Sequence, residues 1–308
     1  MVAGVECRSN TNTRLKMKSS AFIIIFLLLL SACSSPKNEQ LKVSVNSWIG
    51  YSPLFYAYEK GWLKPYDIKV VNVVSLAESL YVYEANNADA FTGTQFEYKV
   101  TKQNQPTLIP IMMLDKSYGA DMVMSNKNIE QLQSESQPIN TYLEMNSINS
   151  VVLKSFLDYY HISEKNINYV NQDQVKISTL KISPESKPTM VVTYSPYDII
   201  LQKNGFNTLA STRDEFSITV IDALFTTQNK FTKHKSQFIA LKVQIDRAVE
   251  VLKNDPKEYY EYTKHYLQDI SYDEFMSIQN NIKWINKELS PNLKNMLDKE
   301  LFPINGLI

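Results

Sequence analysis

The sequence predicts an α/β protein of two lobes with a cleft between them and a helical C-terminal end. Three observations carry that expectation. Residues 41–114 alternate strand-like and helix-like stretches in the order β-α-β-α-β-α-β, the pattern of a mainly parallel sheet. The rhythm restarts after Met122–Ser125 and continues to about residue 225. Beyond that point the apolar spacing is helical to the end of the chain.

Each element has a local reason. Leu41–Asn46 alternates apolar and polar residues, as a half-buried strand does. Pro53 opens a helix running to Lys60, in the first turn, where its missing N–H costs little. Ile68–Val74 reads as a second strand, Leu76–Asn86 as a helix, Asp89–Phe91 as a short strand, Gln95–Gln103 as a helix and Thr107–Leu114 as an apolar strand. In the second run, Pro138–Tyr142, Ile167–Val170, Met190–Thr193 and Ile218–Phe225 read as strands. Asn146 or Ser147 caps a helix whose apolar residues Ile148, Val151, Val152, Phe156, Leu157 and Tyr160 share a face. Gly205 stands where a C-terminal glycine ends the helix Pro196–Asn204. The closing helices fall at about 233–254, 256–266, 272–282 and 291–301, while residues 126–137 and 181–187 read as polar loops.

The N-terminal segment reads as an export signal. Ala21–Leu30 is an unbroken apolar run of ten residues, too short to span a bilayer, with Lys16 and Lys18 before it and small residues after it. Leu30-Ser31-Ala32-Cys33 resembles the bacterial lipobox, which makes Cys33 the expected lipidated first residue of the mature chain. Residues 1–32 are then the signal peptide and 33–40 a tether. Met17 begins a signal peptide of ordinary form, so residues 1–16 read as an upstream extension; Met1 and Met17 both remain open as the start. Cys7 and Cys33 are the only cysteines, so the mature domain has no disulfide to form.

Composition excludes several classes. Lys and Arg number 32, as do Asp and Glu, and removing residues 1–32 leaves a net charge of −3, so bulk charge points to no nucleic-acid partner. Glycine is scarce, 7 of 308 residues, and no glycine-rich phosphate loop occurs. His161, His234 and His265 are isolated, and there is no metal-ligand spacing or nucleophile elbow, so no catalysis, metal or cofactor is expected. Tyr259, Tyr260, Tyr262 and Tyr266 read as helix packing, with nucleic-acid stacking the lesser alternative.

In open α/β sheets ligands bind at the carboxyl ends of strands. Those ends are Ser47–Tyr51, Thr92–Gln95, Asp115–Asp121 and Tyr194–Pro196. Trp48 and Tyr51 offer aromatic walls with polar tips. Thr92 and Thr94 offer hydroxyls next to a helix start, for a ligand or for capping. Ser117, Tyr118, Tyr194 and Ser195 complete the expected ligand contacts. Asp115 and Asp121 bind an amine or brace the crossover, and Asp222, Gly50, Gly93 and Gly119 are expected to support the hinge or cleft. Among mature residues only Arg213 and Arg247 are arginines, so an anion clamp has few candidates.

These segments resemble the substrate-binding proteins of the nitrate/sulfonate/taurine class of ABC importers, which has thiamine-precursor-like relatives. Trp48-Ile49-Gly50-Tyr51-Ser52-Pro53, with Ala57 and Gly61-Trp62-Leu63, is similar to the family's W-x-G-Y-x-P opening. Ala88-Asp89-Ala90, Asp115-Lys116-Ser117-Tyr118-Gly119-Ala120-Asp121, Thr193-Tyr194-Ser195-Pro196-Tyr197 and Ile221-Asp222-Ala223-Leu224 follow in family order. The resemblance implies a type II periplasmic binding protein fold, with lobe 1 at 41–124 plus 218–308 and lobe 2 at 125–217. It implies a monomeric, extracytoplasmic, lipid-anchored receptor that closes on a small molecule (a sulfonate, an amine or a pyrimidine) and hands it to an ABC permease. A membrane signalling protein is the alternative partner, and an exported enzyme the third reading. The chain departs from the family at Ser134-Glu135-Ser136-Gln137-Pro138, where a D-L-x-G-K turn is usual, so ligand identity is not carried over.

Overall fold

Two sheets organise the molecule. The computed structural model describes Met1, Gly4 and residues 39–183, 186–216, 218–300 and 302–308. The signal peptide and Cys33 lie outside the described residues. Among the described residues the first sheet has six strands and the second five.

The first sheet begins with β1 (Leu41–Asn46), which pairs in parallel with β2 (Ile68–Val73) and β3 (Ala90–Thr94). Its connecting helices are α1 (Ser52–Glu59), α2 (Leu76–Glu84) and α3 (Gln95–Asn104). Pro53 occupies the first turn of α1, as expected. β4 (Leu108–Ser117) closes the first run. The chain then enters the second sheet through β5 (Asp121–Ser125), which pairs with β8 (Thr189–Tyr194) and β9 (Asn207–Ser211). Hydrogen-bond pairing therefore puts residues 121–124 with the second sheet, a few residues ahead of the boundary expected at 124/125. The apolar run Met122–Met124 reads equally well as either sheet's core, and only pairing distinguishes the two.

In the second sheet β6 (Ile139–Leu143) lies parallel to β7 (Ile167–Asn171) and β8. Short α4 (Ile129–Gln133) occupies the middle of the loop expected at 126–137. Helix α5 (Ile148–Tyr159) is capped by Ser147, whose Oγ accepts from Asn149 N at 3.2 Å. α6 (Gln174–Ser178) and α7 (Tyr197–Lys203) complete this half.

β10 (Ile221–Thr227) returns to the first sheet and inserts antiparallel between β3 and β4. After it come α8 (Gln228–Lys233), α9 (Lys235–Asn254), α10 (Pro256–Thr263), α11 (Tyr272–Gln279), β11 (Ile282–Trp284) and α12 (Pro291–Lys299). The late tyrosines pack: Tyr259 stacks on Tyr56 at 4.7 Å and Tyr266 on Phe55 at 4.1 Å, fixing α10 and the turn after it against α1. Among the described residues no helix is long and apolar enough to cross a membrane.

Candidate functional site

The carboxyl ends of β1, β3 and β8 meet the amino ends of β5 and β10 at one buried point. Trp48, Tyr51, Thr94, Asp121, Tyr194 and Asp222 line a cavity there, together with Leu76, Ile148 and Val220. It is small, about 10 Å³, which is room for about one water. Ile148 also lines an outer groove of about 340 Å³ and so separates the two.

Residues from both sheets close over this point. Ile49 N donates to Ser195 O at 3.3 Å. Asn46 Nδ2 donates to Tyr194 Oη at 3.1 Å, and the Trp48 and Tyr194 rings meet edge to face at 5.6 Å. Glu97 makes a third link. One of its oxygens accepts from Thr94 N at 2.8 Å in a capping box at the start of α3, and the other accepts from Ile148 N at 3.1 Å, in the first turn of α5. Thr94 thus both caps a helix and lines the cavity.

The electrostatics are one-sided. Asp115, Asp121, Asp222, Glu97 and Glu144 are all buried. Asp115 Oδ1 accepts from Trp48 Nε1 at 3.2 Å, and Tyr51 Oη donates to Asp222 Oδ1. Asp121 N donates to Ser117 Oγ at 3.1 Å. Asp115 Oδ2, Asp121 Oδ2, Asp222 Oδ2 and Glu144 Oε2 have no hydrogen-bond partner among the described residues. Burial pushes the Asp121 carboxyl up to about 7 and that of Glu144 up to about 8. Burial raises Asp115 and Asp222 well above the usual carboxylate range, and the negative charge of neighbouring aspartates adds to both shifts. The Tyr51 phenol is raised by burial and then by Asp222.

The expected site residues separate into three groups. Trp48, Tyr51, Thr94 and Tyr194, with Asp121 and Asp222, reach the cavity. Asp115 and Gly50 stand behind it: the Asp115 carboxylate packs on the Gly50 backbone so closely that a Cβ there would overlap it. Thr92, Gly93, Ser117, Tyr118, Gly119 and Ser195 lie outside the lining. Thr92 Oγ1 reaches Ser44 O at 3.4 Å, and Gly93 pairs with Ala223 inside the first sheet. Ser117 Oγ bonds Thr212 Oγ1 at 2.7 Å across the crossover. The Tyr118 ring carries Lys283 Nζ at 3.4 Å and the Arg213 guanidinium at 4.9 Å. Gly119 turns the chain with φ +112°, a conformation that favours glycine. Ser195 contributes its backbone oxygen to the link with Ile49.

Arg213 is not placed for an anion. It donates to Tyr118 O and Asn280 O at 3.2 Å and to Asn281 Oδ1 at 2.8 Å, tying the crossover to the segment before β11. Glu97 and Glu144 were not expected from the sequence. Thr94-x-x-Glu97 is a capping-box spacing, and Glu144 directly follows β6, one more carboxyl strand end.

Comparison with solved structures places this geometry. A ligand-binding component of an ABC-type import system from Staphylococcus aureus, solved with zinc bound, superposes with a TM-score of 0.67 at 12% identity, over 85% of this chain and 92% of that one. The alkanesulfonate-binding protein SsuA from Xanthomonas axonopodis pv. citri, bound to MOPS, gives 0.67 at 10% identity over 87% and 96%. A Candida albicans gene product described as having the generic periplasmic binding protein structural fold gives 0.66 at 11% identity over 86% and 89%. The chain has the periplasmic binding protein fold. The buried point lies between the two sheets, among strand ends singled out in the sequence. No protein-family model and no curated protein matches the sequence.

Proposed function

We propose that this chain is an extracytoplasmic solute-binding protein that captures a small organic molecule between its two lobes and delivers it to an ABC importer. The observation that carries this reading is the cavity at the strand ends, lined from both sheets by aromatic rings and carboxyls and closed by direct hydrogen bonds between the sheets. A void of this size holds about one water, so a solute enters an open form and the sheets then close around it less tightly than here. Ligand affinity that is greater for the closed form drives closure without any covalent step. The lobes are residues 41 to about 120 with 218–308, and about 121–217. Structural neighbours that are import components and an alkanesulfonate-binding protein support the importer as partner. Recognition by a membrane signalling protein uses the same closed surface and is the second reading.

The test is a melting screen against a broad small-molecule library. A true ligand at 100 times its Kd should stabilise the protein by about 2.7 kcal/mol. A library that moves the melting point nowhere removes the reading. Attachment is proposed through lipidated Cys33. Cys33→Ser is expected to shift the protein from the membrane fraction to the soluble fraction, and continued membrane partition of that variant refutes a lipid at Cys33.

A further inference from the structure

The ligand's chemical class follows from what lines the cavity, given that the cavity is a solute site. We infer that, once the sheets part to make room, the site takes a small protonated amine, with its N–H groups on Asp121 Oδ2 and Asp222 Oδ2 and its charge against the rings of Trp48, Tyr51 and Tyr194. The two aspartates come from different strands, β5 and β10, and are 3% and 2% exposed. Both line the cavity, and neither Oδ2 has a partner among the described residues. A buried acceptor left without a donor is costly, so a ligand bringing donors to both gains twice. No Lys, Arg or His is among the lining residues. Arg213 is occupied at the crossover, and Arg247 stacks on Trp62 at 3.6 Å, both outside the lining.

An anion fits poorly here. A sulfonate or nitrate offers only acceptors and a negative charge to a site already carrying buried carboxyls. Aromatic faces add to the preference for a cation. Among the described residues no group of three His, Cys, Asp or Glu side chains could hold a metal ion, which favours an organic cation. A quaternary ammonium would satisfy the rings but leave both oxygens unpartnered, so N–H groups are required.

The experiment titrates the full chain, in mild detergent, with ethylammonium, 1,3-diaminopropane, tetramethylammonium, ethanesulfonate and 4-aminopyrimidine, followed by calorimetry and melting. One of the two N–H-bearing amines should bind and raise the melting temperature. Asp222→Asn and Asp121→Asn should each weaken that binding by tenfold or more, with the fold checked by circular dichroism. Preferred binding of ethanesulfonate or 4-aminopyrimidine overturns the amine while leaving the solute-binding reading intact. Preference for tetramethylammonium overturns the role of the two oxygens, as does undiminished amine binding by both Asn variants. Absence of binding by every probe overturns the amine, and the melting screen then decides the parent reading separately.

Discussion

Between pH 5 and pH 8 the ligand-free protein is expected to lose stability as pH rises. Asp121 and Glu144 carry carboxyls raised by burial to about 7 and about 8, against ordinary values near 4. In that window the folded state holds protons that the unfolded chain has released. Stability is therefore greatest below the unfolded values and falls until pH passes the folded ones. Each such carboxyl contributes a slope of about 1.4 kcal/mol per pH unit between its two values. The groups facing them, Glu97, Asp115, Asp222, Ser117 and Tyr194, include no base that would reverse the sign. Glu274 is held down to about 2 by Lys203 and the Ser271 cap, and its opposite contribution falls in more acid solution, outside the window. Urea unfolding at pH 5, 6, 7 and 8 measures the slope, and Asp121→Asn should flatten it and raise stability at pH 8. A wild-type protein that gains stability over this range contradicts the charge picture of the site.

Gly50→Ala is expected to destabilise the protein by about 3 kcal/mol, the upper end of what overpacking a well-filled interior costs. An added Cβ would lie under 3.0 Å from Asp115 Oδ2 and from Trp48 Nε1. Those two atoms belong to groups hydrogen-bonded to each other, so neither moves without loosening the wall that Trp48 gives the cavity. The double variant Gly50→Ala with Asp115→Ala removes the carboxylate overlap and should recover part of the loss. Denaturant midpoints of Gly50→Ala, Asp115→Ala, the double variant and wild type decide the matter. A Gly50→Ala protein within 0.5 kcal/mol of wild type would mean that this contact is not tight in solution.

Much of the fold was legible because its elements are long or punctuated. β1, α1, β2, α2 and α5 fall within a residue or two of their expected bounds, where alternation, Pro53 and Ser147 mark them. The misses are short. α4 and α6 have five residues each, β9 five and β11 three, too few for a period to declare itself. Site residues behaved differently. Trp48, Tyr51 and Tyr194 could be found because they sit at strand ends and aromatic rings are conspicuous there. Glu97 and Glu144 were missed because an acid in a helix's first turn or just after a strand reads as solvated, and only the packing of the two halves against each other makes them interior. Tyr118 shows the converse. Its neighbours are in the right motif, but the turn at Gly119 leaves its ring between Arg213 and Lys283.

The buried carboxyls around the cavity have one more consequence. Burial shifts Asp115, Asp121, Asp222, Glu97 and Glu144 toward the protonated form, Asp121 to about 7 and Glu144 to about 8. On the reading proposed above, a cation entering the cavity takes the place of such a proton, and the interior's net charge stays constant. Capture is then an electroneutral exchange. Acidity outside the cell competes with the solute for the same oxygens, and a receptor built this way collects best in alkaline surroundings.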